Sequence, residues 1–210
     1  MNSNSTDPIP IVLAAGKGER FEGLKQLTEV DGEPVLQLVL QSISKIDWDL
    51  SPLLVLGHEK ERIKNAVDTC GFKVIENDYW QQGLSTSLKS GINAASRNAS
   101  GYLFFLGDMP LISADIIKDV LNRADSGSSI VAPSYRGKRG FPVYLSRQWE
   151  ENLLTEISGD KGAREIIRKN PDQLTLINTE NRGVIMDMDE KSDLREIRSY
   201  LLEEGTEIGV

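Results

Sequence analysis

One cysteine and one histidine occur among the 210 residues, and each scarcity excludes a class of chemistry. Cys70, being alone, can neither close a disulfide within the chain nor build a cysteine-based zinc site. His58 and Cys70 leave no serine partnered by either, so no nucleophile–base triad is legible. Long apolar runs are also missing. The run Ile9–Ala15 follows MNSNSTDPIP, which has no basic segment. It is too short for a secretory core with a cleavage site, and too short to cross a bilayer. The cytoplasm is therefore the expected location, with no membrane as partner. Positive charge is in deficit: 24 Lys and Arg face 32 Asp and Glu, for a net charge of −8. That balance argues against general nucleic-acid or anionic-membrane binding, which needs a positive surface field. A phosphate ligand would have to be met by a local cluster of cations, helped by a divalent metal.

What is present is an alternation of short apolar runs and helical patterns. IPIVLA (9–14), PLLVL (52–56), FKVIE (72–76), YLFFL (102–106) and SSIVAP (128–133) read as strands, several of them apolar at nearly every position, as buried parallel strands are. Helical stretches are expected at 34–46, 59–70, 85–97 and 113–124, with Pro34 suited to a first turn and Ser113 to an N-cap. The expected fold is a three-layer α/β/α sandwich with a mostly parallel, Rossmann-like sheet. Beyond residue 134 the regularity weakens. FPVYLS (141–146) suggests an added strand, 148–154 and 161–170 helices, 174–178 and 183–187 strands, and 191–204 a last helix. With no repeat, linker or low-complexity tract, one domain over 1–210 is expected, residues 1–8 forming a flexible tail.

The stretch LAAGKGERFEGLKQL (13–27) puts three glycines and three cations into a bend after a buried-type strand. Open α/β sheets bind their ligands at that carboxyl edge. The small side chains of Ala14, Ala15, Gly16 and Gly18 let backbone N–H groups approach an anion, and Lys17, Arg20 and Lys25 add charge. The plainer alternative is a solvated turn. A P-loop string is absent, and the dinucleotide fingerprint fails where Phe21 replaces its third glycine.

GDMP (107–110) places Asp108 directly after an apolar strand, at the same edge. A carboxylate buried there needs a partner or a metal, and Mg²⁺ is usually held by one or two carboxylates plus substrate phosphates. The alternative is that Asp108 caps the turn before Pro110. In VIMDMDEKSDL (184–194), Asp187 and Asp189 alternate with apolar residues. The expectation is that they face opposite ways, so that one joins Asp108 and the other is a helix cap or surface residue.

These three stretches together resemble the molybdopterin nucleotidyltransferases, the MobA-like group of the nucleotide-diphospho-sugar transferase fold. Leu13, Ala14, Gly16, Arg20, Phe21 and Lys25 match that family's opening signature. LGDMP resembles its metal-binding aspartate segment, and VIMDMDEKSDL its closing motif. NDYWQQGLSTSLKSGI (77–92) and GFPVYLSRQWEENLLTEISGDKGAREII (140–167) are similar to stretches of the molybdenum cofactor cytidylyltransferases. Phe141 departs from the histidine usual after the glycine matched by Gly140.

The resemblance implies transfer of CMP from CTP to molybdopterin or its molybdenum form, giving the cytosine dinucleotide and pyrophosphate. A molybdenum hydroxylase or its chaperone would be the protein partner. Mg²⁺ would be held by Asp108 with Asp187 or Asp189. Arg20 and Lys25 would hold the triphosphate with the backbone around Leu13–Gly18, Lys17 being a more exposed candidate. Gly83, Ser85 and Ser87 would contact base or pterin, and Asp160 and Arg164 the substrate. Ala14-Ala15-Gly16 matches the cytidylyltransferases, whereas guanylyltransferases typically carry Ala-Gly-Gly. A guanylyltransferase, a sugar- or alditol-phosphate nucleotidylyltransferase and a binding-only regulator are the competing expectations. His58 is expected in a loop, Cys70 at the apolar end of a helix, Trp80 beside the site, and Trp48 and Trp149 over the core edge.

Overall fold

The computed structural model describes residues 7–18, 21 and 23–203. Five buried residues form β1 (Ile9–Leu13). There follow β2 (Glu29–Val30), β3 (Glu33–Pro34), α1 (Val35–Ser44), β4 (Leu53–Leu56), α2 (Lys60–Ala66), β5 (Lys73–Glu76) and α3 (Leu84–Ala94). Then come β6 (Gly101–Leu106), α4 (Ala114–Asp125), β7 (Ile130–Tyr135), β8 (Lys138–Arg139), β9 (Val143–Ser146), α5 (Glu150–Thr155), α6 (Arg164–Lys169), β10 (Leu174–Asn178) and α7 (Lys191–Glu203). Of the expected tail, residues 1–6 lie outside the described residues, and the carbonyl of Asp7 accepts from the N–H of Ser100 (3.4 Å).

The main sheet has the order β10-β7-β9-β6-β1-β4-β5, with β8 paired to β7. β1 is parallel to β4 and β6, and β4 to β5. β9 is the added strand expected from FPVYLS, and it runs antiparallel between β6 and β7. Side chains alternate along each strand, so both faces of the sheet are apolar. Ile11 and Leu13 pack with Leu88 and Ile92 of α3. Val12 packs on the other face with Leu36 and Val39 of α1 and Ile117 of α4. Helices on both faces of a mostly parallel sheet give the expected three layers. A smaller cluster joins Val35 and Leu38 to Met186, Met188 and Ile197, docking α7.

Several boundaries differ from the reading of the sequence. The helix expected over 59–70 stops at Ala66, where Val67 turns extended. Cys70 therefore does not end a helix; it sits in the following turn at φ 50° and accepts from the Gln37 amide at 3.4 Å. The strand expected over 183–187 is instead a 3-10 turn, Arg182–Ile185. Its cause is local: the Asn181 side chain accepts from the Gly183 N–H at 2.8 Å, closing an Asx turn that competes with strand pairing. The Ser113 cap is present, its hydroxyl accepting from the Ile116 N–H at 3.4 Å. Trp149 is buried against the first core and Trp48 partly buried against the second, as expected. Among the described residues no helix is long and apolar enough to cross a membrane.

The chain leaves β1 for β4 and β5 on one side, then returns to β6 on the other. Strand order reverses between β1 and β6, so their carboxyl ends frame the crevice where such sheets bind ligands.

Candidate active site

The bend after β1 is held from below by a residue that the motif reading passed over. Gln26 is 2% exposed, and its amide donates to the carbonyls of Gly16 (2.9 Å) and Ala14 (3.2 Å). The carbonyl of Ala15 accepts from the N–H of His58 (3.0 Å), tying the bend to the end of β4. Gly18 adopts φ +68°, and a Cβ there would stand 3.1 Å from the Lys25 stem. That space lets Lys25 run under the bend to the carboxyl edge of β6.

Asp108 waits there. The Gly107 N–H donates to the Leu13 carbonyl (3.0 Å), which locks the end of β6 beside β1. The Lys25 ammonium donates to Asp108 Oδ2 at 2.5 Å and to Asp189 Oδ1 at 3.1 Å. Its side chain and that of Asp108 are each 13% exposed. Burial works against the Lys25 charge, but Asp108 and Asp189 outweigh it and hold its pKa above the ordinary value. The other oxygen of Asp108, Oδ1, is buried without a hydrogen-bond partner. Asp108 therefore does not merely cap its turn; it offers an unsatisfied anionic oxygen.

The 186–189 segment reaches the same point through one backbone bond, from the Met188 N–H to the Asp108 carbonyl (2.9 Å). Met186 and Met188 are buried in the α7 cluster, which turns the intervening aspartates outward. Asp187 and Asp189 do not face opposite ways, contrary to expectation. Residues two apart on an extended stretch share a face, and here both aspartates stand toward Asp108. Enclosure by protein, then repulsion from Asp108 and Asp189, push the Asp187 pKa up. Neither aspartate is the helix cap. Glu190 directly precedes α7, and Asp193 in its first turn reaches back, its carboxylate accepting from the N–H groups of Asp189 (2.8 Å) and Glu190 (2.7 Å). Among the described residues no group of three His, Cys, Asp or Glu is arranged to hold a metal alone.

Two cavities meet at these carboxylates. The first, about 490 Å³, is lined by Ala15, Gly16, Lys17, Gly18, Trp80, Gln81, Gln82, Gly83, Ser87 and Asp189. The second, about 620 Å³, has apolar walls that include Phe104, Leu106, Met109 and Phe141, with Arg139, Arg164 and Asp187 among its charged groups. Leu13, Leu84 and Asp160 line both.

Asn77 braces Ser87 on the wall of the first cavity. It is buried, and its amide donates to Thr86 Oγ1 (2.9 Å) and Ser87 Oγ (3.0 Å), joining β5 to the start of α3. Ser87 thus reaches the cavity while already bonded. Ser85 is buried and lines neither cavity; its N–H donates to the Gly159 carbonyl (2.9 Å). At Gly83, φ is +99° and a Cβ would lie 2.4 Å from the Gly159 carbonyl carbon. Gly83→Ala is expected to cost at least about 2 kcal/mol, from backbone strain plus displacement of the 158–160 loop. Urea unfolding measures this; a loss below about 0.5 kcal/mol, the scatter of neutral surface changes, would show that the loop yields freely.

The structure thus brings together Leu13, Ala15, Gly16, Gly18, Lys25, Gly83, Asp108, Asp160, Asp187 and Asp189, with Arg164 on the second cavity. Ala14 lies buried beneath them, and Lys17 is exposed at the rim of the first cavity. Arg20 lies outside the described residues. Trp80 stands beside the site as expected, and His58 lies in the loop after β4, its ring 4.8 Å from that of Trp80. Gln26, Asn77 and Arg139 were missed. An amide or a lone arginine between motifs gives no chemical signal, although Asn77 opens one of the matched stretches.

Comparison with known proteins agrees with this geometry. Residues 10–174 match the MobA-like NTP transferase domain. The bifunctional protein GlmU of Desulfotalea psychrophila is 30% identical over 125 residues, 58% of this chain and 36% of that one. The chain therefore spans about a third of the length of this relative. The nicotine blue oxidoreductase of Paenarthrobacter nicotinovorans is 25% identical over 187 residues, 85% of this chain and 90% of its own. Rv0371c from Mycobacterium tuberculosis H37Rv has the same fold, with a TM-score of 0.82 at 22% identity over 93% of this chain and 99% of that one. The family match takes in the glycine bend, Lys25, Asp108 and the 158–164 loop, well over half of the sequence, and the chain belongs to the MobA-like NTP transferase domain family.

Proposed function

We propose that this nucleotidyltransferase moves CMP from CTP to the terminal phosphate of molybdopterin or its molybdenum form, in the cytoplasm, releasing pyrophosphate. One observation carries the reading. Asp189 lines the polar, glycine-walled cavity and Asp187 the apolar one, so the carboxylate cluster stands where two substrates would meet. A phosphate-monoester oxygen is already a nucleophile, so no general base is required. It attacks the α-phosphorus of the nucleotide; a new P–O–P linkage forms as the bond to pyrophosphate breaks. The chain's contribution is in-line positioning and charge neutralisation. Lys17, Lys25 and, from the sequence, Arg20 hold the triphosphate against the bend, while Asp160 and Arg164 border the acceptor. The recipient of the dinucleotide would be a molybdenum hydroxylase or its chaperone.

The residues present fit a divalent cation. Asp108 Oδ1 is a buried carboxylate oxygen with no partner among the described residues, and Asp187 and Asp189 add negative charge beside it. Asp108 with Asp187 or Asp189 would hold Mg²⁺, completed by substrate phosphates, as such sites usually are. The ion would draw charge from the phosphate oxygens as the leaving group departs. Rv0371c has been solved in complex with manganese, which supports metal use on this fold.

Ala15 is buried at the cavity wall, where its methyl crowds a purine more than a pyrimidine. CTP is expected to exceed GTP by roughly ten- to a hundredfold in kcat/KM, the scale of one misfit group. Pyrophosphate release from each nucleotide, with and without molybdopterin, tests both substrates. Release from CTP that depends on molybdopterin is the expected result. Equal turnover with GTP overturns the base assignment, and turnover with a sugar phosphate in place of molybdopterin overturns the acceptor. The name of the Paenarthrobacter relative makes a parallel assay of NAD(P)H oxidation worthwhile; activity there without pyrophosphate release would reject transfer altogether.

A further inference from the structure

The second cavity holds a pair of arginines that the fold does not otherwise use. Arg139 belongs to β8, whose pairing places it opposite Ser134 of β7. The chain just after this position is fixed twice. The Gly140 N–H donates to the Pro133 carbonyl (2.8 Å), and the Phe141 N–H to the Val184 carbonyl (2.9 Å). Arg164 opens α6 and lines the same cavity. The two guanidiniums are close enough to repel. Burial, and then the charge of Arg164, pull the Arg139 pKa below its ordinary value. Among the described residues neither guanidinium has an ion pair or hydrogen bond with a carboxylate. Other basic groups among the described residues do pair, as Arg147 does with Glu150 (2.9 Å) and Lys169 with Glu156 (2.6 Å).

A half-buried arginine facing a second arginine costs stability in the free protein, and that cost persists only where something recovers it. A dianionic oxygen group does so: each planar fork can donate two N–H bonds to phosphate oxygens, and the repulsion becomes shared attraction. Around the pair the walls are Phe104, Leu106, Val143 and Phe141, which bury a flat apolar body rather than a hydroxylated one. Phe141 stands where the resembling cytidylyltransferases usually carry histidine, so this chain has one polar group fewer on that wall.

We propose that Arg139 joins Arg164 as the phosphate clamp of the acceptor cavity. This rests on the transfer reading above and adds to it the residue that selects the acceptor by its phosphate. The two sides of the cavity act on different parts of the acceptor. Arg139 and Arg164 orient the phosphate toward the edge marked by Asp187, and the phenylalanine wall holds the ring system.

Calorimetric titration with naphthyl phosphate, naphthol and CTP tests the clamp without turnover. Naphthyl phosphate is expected to bind the wild-type protein saturably. Arg139→Gln and Arg164→Gln should each weaken it by about tenfold or more, the usual scale for losing a charge-assisted fork. Arg139→Lys should fall between. Naphthol affinity and CTP affinity should be unchanged in all three. Because Arg139→Gln removes a repulsion, its Tm should equal or exceed that of the wild type, which separates a lost ligand from a lost fold. Unchanged naphthyl phosphate affinity in both Gln variants overturns the clamp, as does an absence of saturable binding to the wild type. Weakened CTP binding also overturns it, since the arginines would then serve the nucleotide. If no nucleotide releases pyrophosphate while the arginine-dependent titration holds, the transfer reading fails and the clamp stands.

Discussion

Asp108→Asn is expected to lower kcat for pyrophosphate release by about 10²-fold or more, the scale of losing a key electrostatic group. The substitution keeps the shape of the side chain and removes the charge from a carboxylate that has one oxygen buried without a partner among the described residues. Lys25 keeps Asp189 as an ion-pair partner at 3.1 Å, so the fold should survive. Circular dichroism and Tm distinguish the two effects. Asp187→Asn and Asp189→Asn are now both expected to damage turnover, because the aspartates share a face rather than dividing it. The split between kinetic constants should separate them: Asp189 borders the glycine-walled cavity and Asp187 the apolar one, so KM should rise for the nucleotide in the first variant and for the acceptor in the second. A kcat within about threefold of wild type for Asp108→Asn would remove this carboxylate from the chemistry.

Lys25→Met should be the most disruptive single change. It takes away the cation that lies between Asp108 and Asp189 and removes the charge that offsets their repulsion of Asp187. Breaking a buried pair from one side strands the other charge, so Tm should fall by roughly 5–10 °C. The loss of charge opposite the leaving pyrophosphate should reduce kcat/KM by about 10²-fold or more. The same variant reports on the metal without any turnover. With Lys25 gone, added Mg²⁺ has more uncompensated charge to bind, and a ligand that binds only the folded state raises Tm. The Mg²⁺-dependent rise should therefore be larger in Lys25→Met than in the wild type. No rise in either protein would count against a metal at these carboxylates, and an unchanged Tm in the absence of metal would mean that the ion pair contributes nothing to stability.

The layers of the fold were legible because its central strands are apolar on both faces, as in IVL of β1 and FFL of β6. The site was legible where a charged residue follows such a strand directly, as Asp108 follows β6. What escaped was of three kinds. The 183–187 stretch carries the apolar run 184–186, as a strand would, yet Asn181 captures the Gly183 N–H and bends it into a turn. The opposed-face expectation for Asp187 and Asp189 failed on elementary strand geometry, since a spacing of two keeps one face. Gln26 and Arg139 carry their importance in long-range contacts: a buried amide holding two carbonyls twelve and ten residues away, and a guanidinium set against α6. Neither relation has a local pattern in the chain. Arg20, singled out by the motif, lies outside the described residues and keeps its standing from the sequence alone.

The reversed strand β9 has a consequence for how such a protein can change over generations. Because β9 runs against β7, the chain between them, residues 136–142, returns to the carboxyl edge as a short hairpin tip carrying Arg139 and Phe141. The groups proposed to choose the nucleotide lie far from it in the chain, on the bend after β1 and the segment before α3. Acceptor choice and nucleotide choice are thereby inherited on separate stretches, and a handful of substitutions in the hairpin can redirect one while the other is preserved. Exchanging residues 136–142 between members of the family is the corresponding engineering route: the recipient should adopt the donor's preference for acceptor and retain its own for the base.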